Sequence, residues 1–166
     1  MRISARADYA VRAMAELALR PAGPTKAEYL SGAQDIPLRF LLSILRELRQ
    51  HRLVRSVRGP EGGYALARPA AEITLADVIR AVDGSLANVR DLSLTGLDYP
   101  GAAAQLPDVW RAVRVSLRQV LEHVTLEDLA RGQLPEGVRA RARQYVEDVR
   151  HPVADTSAVQ GPGGLD

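Results

Sequence analysis

Residues 37–67 constrain the fold of this chain more than any other stretch. Pro37 suits the first position of a helix, where its missing N–H leaves nothing unpaired. The residues that follow, to 50, then have two unlike faces. Leu41, Ile44, Leu45 and Leu48 form an apolar stripe, and Arg39, Leu42, Ser43, Arg46, Arg49 and Gln50 occupy the other side. Residues 53–58 alternate as a strand. Gly59-Pro-Glu-Gly-Gly63 is a loop that needs positive φ and a Pro-fixed bend, and residues 64–67 return as the partner strand. A two-faced basic helix feeding a glycine-tipped hairpin is the layout of a winged helix. The helix suits a major groove, and a hairpin carrying Arg55 and Arg58 near its tip, beside Gly59, suits a phosphate backbone or minor groove. An ordinary structural hairpin is the alternative.

The preceding residues supply the rest of a helix-turn-helix. Residues 4–20 read as a helix, with Tyr9, Ala10, Ala13, Met14, Leu17 and Ala18 at three- and four-residue spacing and Pro21 as its stop. Thr25-Lys-Ala-Glu28 reads as a capping box that opens a short helix to about residue 33. Gln34-Asp35-Ile36 makes a tight connection to the basic helix. Thr74-Leu-Ala-Asp77 starts a further helix that Asp83-Gly84 stops. Residues 1–83 are therefore expected to form one winged helix-turn-helix domain.

Beyond it the pattern changes. Residues 84–104 lack periodicity and read as a long loop. Residues 105–124 hold the longest helix. Trp110, Val113, Leu117, Val120 and Val124 step by three and four, the spacing of a helix–helix seam between two copies. One long core helix of a monomer is the competing reading. Leu106, Val109 and Leu121 widen the stripe. Thr125-Leu-Glu-Asp128 caps a short helix to about residue 131, so 105–133 reads as a dimerisation segment. Residues 134–166 are an extension, with a polar helix over 138–149 and a Pro/Gly/Ser-rich tail expected to be disordered from about 151. The fold class is mainly α with a small β-hairpin wing, a conclusion that an aromatic content of only 4% supports.

Charge points to the same segment. Residues 1–72 carry 12 Lys and Arg against 7 Asp and Glu, and residues 36–68 alone carry seven Arg against two Glu. A basic block in a nearly neutral chain implies an anionic partner touched by one part only. Composition bias explains why Arg outnumbers Lys, but it does not explain the clustering. Arg39 and Arg46 lie two turns apart and can fork onto a guanine or a phosphate. Arg46 and Arg49 read better as phosphate contacts. Leu42 can meet a thymine methyl or be a tolerated surface leucine, and Ser43 can donate to a base or a phosphate. Arg2, Arg6 and Lys26 are candidates for flanking phosphates.

Other classes fall away. The chain has no cysteine, which excludes disulfides, thiolate zinc sites and a Cys nucleophile. No phosphate loop, dinucleotide fingerprint, HExxH or Ser/His/Asp order is present, so no enzyme is expected. No apolar run approaches a membrane span and no leader is visible, so a cytoplasmic protein without membrane contact is expected.

Ser4-Ala-Arg-Ala-Asp-Tyr-Ala-Val-Arg-Ala13, Ile36-Pro-Leu-Arg-Phe-Leu41, Leu53-Val-Arg-Ser-Val-Arg-Gly-Pro-Glu-Gly-Gly-Tyr64, Ile73-Thr-Leu-Ala-Asp-Val-Ile-Arg-Ala-Val-Asp83 and Val124-Thr-Leu-Glu-Asp-Leu129 together resemble the Rrf2 family of bacterial transcription regulators. The likeness runs in order over about residues 1–133. It implies a homodimer on double-stranded DNA, with the long helix of each chain crossing to the other subunit, and operator binding that usually represses. It places Arg58 in the minor groove and Arg39, Leu42 and Ser43 at the major groove. Many members of that family hold an iron–sulfur cluster through cysteines in the loop before the long helix. Here that loop has none, so no cofactor and no metal are expected. The loop's position makes Asp91, Asp98 and Tyr99 the candidate effector contacts, a vestigial linker being the alternative. A sensing adaptor of the same fold with weak DNA reading is the runner-up function.

Overall fold

Small side chains on the first helix decide how closely everything else can pack. α1 (Ala5–Ala18) turns Ala7, Ala10, Ala13, Met14 and Leu17 inward, all but inaccessible to solvent. Three alanines on one face let the neighbouring helices approach its backbone. The computed structural model describes residues 3–85 and 96–150, with side chains to 146. It divides into two units, residues 1–135 and 136–166.

α2 (Ala27–Gln34) and α3 (Leu38–Gln50) cover α1 with Leu30, Leu41, Ile44, Leu45 and Leu48, all fully buried. Truncating any of these leucines to Ala would cost about 2–5 kcal/mol. The turn between the two helices hinges on Asp35 in the left-handed region (φ 49°), a conformation Asp tolerates better than most residues. There the Ile36 N–H donates to Ser31 O at 3.0 Å and the Ser31 hydroxyl donates to Ile36 O at 2.6 Å, so the corner is closed twice. Pro37 stands one residue before α3, and its carbonyl accepts from Phe40 and Leu41.

α3 ends in a Schellman motif. Arg52 N–H donates to Arg49 O at 3.0 Å and Leu53 N–H to Leu48 O at 2.9 Å, with Leu53 and Leu48 both buried. The left-handed position of that motif, usually glycine, is Arg52 at φ 56°. β1 (Val54–Val57) and β2 (Gly63–Leu66) then pair antiparallel, with Val54 opposite Leu66 and Ser56 opposite Tyr64. Gly59 takes φ 111° at the hairpin tip, and Gly62 N–H closes the turn onto Gly59 O at 2.9 Å.

Two sequence expectations are corrected here. Thr25 does not cap α2: the cap position is Lys26, without a side-chain hydrogen bond. Thr25 instead exchanges both backbone hydrogen bonds with Tyr64, at 2.7 and 2.8 Å, as a one-residue third strand on the hairpin edge. That pairing outcompetes the box and leaves no room for a side chain at residue 63, since a Cβ on Gly63 would lie 2.4 Å from Thr25 O.

The second correction is Val124. α4 (Leu75–Asp83) and α6 (Leu126–Arg131) both open with the capping boxes expected at Thr74 and Thr125. The two helix starts also pair with each other: Leu75 N–H donates to Val124 O and Leu126 N–H to Ile73 O, both at 2.9 Å. Val124 is thereby drawn into the domain core at 2% exposure, apart from the exposed side of the long helix. α5 (Leu106–Leu121) stops three residues before it. Along α5 only Pro107 is buried, while Val109, Val113 and Val115 are exposed.

In the second unit, α7 (Glu136–Arg150) is polar and carries ion pairs from Glu136 to Arg139 and Arg143. No helix among the described residues is long and apolar enough to cross a membrane. The architecture is a winged helix-turn-helix with a long helix beside it.

Candidate nucleic-acid interface

The inward stripe of α3 fixes what its other side presents. With Leu41, Ile44, Leu45 and Leu48 committed to the core, Arg39, Leu42, Arg46 and Arg49 are exposed and Ser43 is half-buried between them. Glu47 is the one acidic residue on this helix. Arg6 of α1 grips its carboxylate through Nε at 3.0 Å and through Nη2. The pair neutralises the carboxylate that would repel a polyanion and ties α1 to α3. It also removes Arg6 from the free cations; Arg2 lies outside the described residues, and Lys26 is exposed.

The hairpin attaches to the end of this face. Arg49 Nη1 donates to the Ser56 hydroxyl at 3.3 Å, which sets β1 against α3. Arg58 follows β1 directly and precedes Gly59, whose backbone has no neighbour within 4 Å of a notional Cβ. The tip is thus open to close approach. Arg55 falls elsewhere. Side chains alternate along a strand, so with Ser56 and buried Val54 turned toward α3, Arg55 and its partner Ala65 lie on the reverse face.

The pairing state of the arginines separates this region from the rest. Ten arginines elsewhere, from Arg6 to Arg143, stand within ion-pair distance of a carboxylate. Between residues 36 and 66 none does. The side chains of Arg39, Arg46, Arg52, Arg55 and Arg58 make no hydrogen bond or ion pair among the described residues, and that of Arg49 has only Ser56. Arg114 and Arg141, outside this segment, also lack a carboxylate. A folded chain with spare carboxylates that leaves one cluster of guanidinium groups unpaired keeps them available for an external anion.

The proposed seam residues share α5. Val113 is exposed and Trp110, Leu117 and Val120 are half-buried. Trp110 Nε1 is buried without an acceptor. The end of α5 is held to the domain by Glu122, which accepts from Arg118 at 2.9 Å and from Arg80 of α4. Hydrogen bonds from Arg118, then from Arg80, hold the Glu122 carboxyl below its ordinary pKa. Of the candidate effector residues, Asp98 is exposed and Tyr99 half-buried, next to buried Leu97; Asp91 lies outside the described residues.

A cluster site does not fit the donors of this chain. Iron–sulfur clusters need thiolate or imidazole. The chain has no cysteine and three histidines, and His51 and His123 are both exposed on separate elements. Among the described residues no three His, Cys, Asp or Glu side chains come together to hold a metal ion.

The sequence patterns that missed the Arg6–Glu47 pair and the reverse placement of Arg55 were local ones; both depend on contacts across the fold.

Residues 3–132 match the Rrf2 family profile, described as an iron-dependent transcriptional regulator. Rv1287 of Mycobacterium tuberculosis, named for an HTH-type transcriptional regulator, is 54% identical over 154 residues, covering 91% of this chain and 96% of that one. The HTH-type transcriptional regulator IscR of Escherichia coli is 36% identical over 149 residues, covering 89% and 90%. Among solved structures, CymR, the global cysteine regulator of B. subtilis, superposes with a TM-score of 0.66 at 32% identity, covering 78% of this chain and 96% of that chain.

Proposed function

This chain belongs to the Rrf2 family of transcriptional regulators, and from that membership we propose that it acts as a homodimeric repressor on a pseudo-palindromic operator without an iron–sulfur cluster. The observation that carries the reading is the set of unpaired arginines on α3 and the wing. Arg39, Leu42 and Ser43, on the first turns of α3, face the base edges of the major groove. Arg46 and Arg49 bind phosphate, and Arg58 enters the minor groove beside Gly59.

Dimerisation follows from what α5 leaves uncovered. A helix that buries only Pro107 while exposing Val109 and Val113 gains from a partner helix along Trp110, Val113, Leu117 and Val120. Two copies then present two reading heads to two half-sites. The absence of cysteine removes cluster sensing as the input. Asp98 and Tyr99, in the segment before α5, are retained as effector contacts.

A gel shift of the purified protein on its own upstream region tests the reading. Specific retardation that survives excess competitor duplex is expected. No retardation even at low salt would favour a sensing adaptor of the same fold. Protein purified without oxygen should show no visible absorbance that scales with protein, and a stoichiometric band there would refute the cluster-free assignment.

A further inference from the structure

Arg55 is an unpaired arginine in the wrong place. The other free guanidinium groups of this segment sit on α3, at its end or at the wing tip, where DNA accounts for them. Arg55 lies on the hairpin face turned away from Ser56 and α3. It lines a cavity of about 300 Å³ between the C-terminal end of α1 and the base of the wing. Arg20 and Arg68 line the same cavity.

We propose that this cavity binds a small anion with an apolar body, of the carboxylate or phosphate class, held by Arg55, Arg68 and Arg20. Three guanidinium groups line one cavity and only two of them have a carboxylate within ion-pair distance, which leaves a positive excess for an anion to meet. Arg20 donates to Glu16 at 3.3 Å and stacks on Tyr29. Arg68 reaches Asp77 only at 3.8 Å, and that carboxylate already caps α4 and lies 4.0 Å from Arg80. Arg55 has nothing.

The rest of the wall is Leu17, Pro21, Leu66 and Pro69 with neighbouring alanines, which suits an apolar group and gives hydrated bare phosphate little. The volume is at the lower end for small-molecule sites, so the ligand is compact. Its walls include both wing strands, so occupancy bears directly on where Arg58 is held. That consequence rests on the DNA reading above; the binding itself does not.

The test uses the full chain without DNA and phenyl phosphate as the probe, followed by NMR through the methyl groups of Ala65, Ala67 and Ala70. Saturable shifts are expected, with inorganic phosphate about tenfold weaker and benzyl alcohol not saturating. Arg55→Gln should weaken phenyl phosphate by about tenfold, the worth of one charge-assisted hydrogen bond, while Arg114→Gln leaves it unchanged. Absence of saturation, or equal loss in both variants, overturns the site. A second measurement titrates Arg55→Gln against duplex DNA at two salt concentrations. An unchanged salt slope is expected, and a slope reduced by about one would make Arg55 a phosphate contact instead. Failure of all DNA binding would refute the regulator reading and leave the phenyl phosphate result standing.

Discussion

Replacing Arg58 with Ala separates recognition from folding. Arg58 is exposed and makes no hydrogen bond or ion pair, so truncation removes no internal contact. Stability should stay within about 0.5 kcal/mol of the parent. On DNA the same change should cost about 1–3 kcal/mol, which is roughly a 5- to 150-fold rise in Kd. The loss should be larger where the wing meets an A·T-rich step, because a narrow minor groove has the stronger negative potential for a guanidinium. Arg49→Ala is the comparison. Arg49 gives up a 3.3 Å bond to Ser56, should weaken all duplexes alike, and should flatten the salt dependence by about 0.9 in slope for the phosphate lost. Fluorescence anisotropy on two duplexes that differ only at the wing positions, at two salt concentrations, with thermal melts alongside, distinguishes the two. Equal loss for Arg58→Ala on both duplexes would refute the minor-groove role and leave a plain phosphate contact.

Further expectations follow from α5 and the helix ends. Val113→Asp with Leu117→Asp should give monomers by sedimentation, because two carboxylates in an apolar seam lack partners; an unchanged dimer would place the seam elsewhere. Arg52→Gly should raise stability to urea by about 0.5–1 kcal/mol, since glycine takes the left-handed position of the Schellman motif without a Cβ penalty; a loss of stability would show that the arginine stem packs more than its strain costs. Glu122 has a depressed carboxyl pKa, so its contribution is present above the ordinary carboxylate value and fades as pH falls through the lower folded value. Thermal melts of Glu122→Gln between about pH 3 and 6 should therefore show a shallower acid loss than the parent, and an identical profile would contradict the pairing with Arg118 and Arg80.

Period and turn chemistry made most of the reading head legible. The stripe of α3 shows in a three-and-four spacing, the hairpin in alternation around a glycine loop, and the starts of α4 and α6 in Thr-x-x-Asp boxes. Each signal is local and each is satisfied within a few residues. What those local signals left out shares one cause. Thr25 matches a capping box, but its backbone is claimed by Tyr64 from across the fold. Val124 continues the seam spacing, yet α5 ends at Leu121 and the chain pairs Val124 with Leu75. Arg55 reads as a wing cation, and the burial of Val54 with the Arg49–Ser56 bond sets which hairpin face it takes. Periodicity reports a face; it does not report what the face meets.

The central claim is that two copies of α3 and its wing read one DNA site together. Hydroxyl-radical footprinting on the upstream region measures this most directly. Protection should fall in two related half-sites about 34 Å apart, or a multiple of that, with minor-groove protection flanking each. A single half-site protected by a protein that sediments as a monomer, or no protection at low salt, would contradict it.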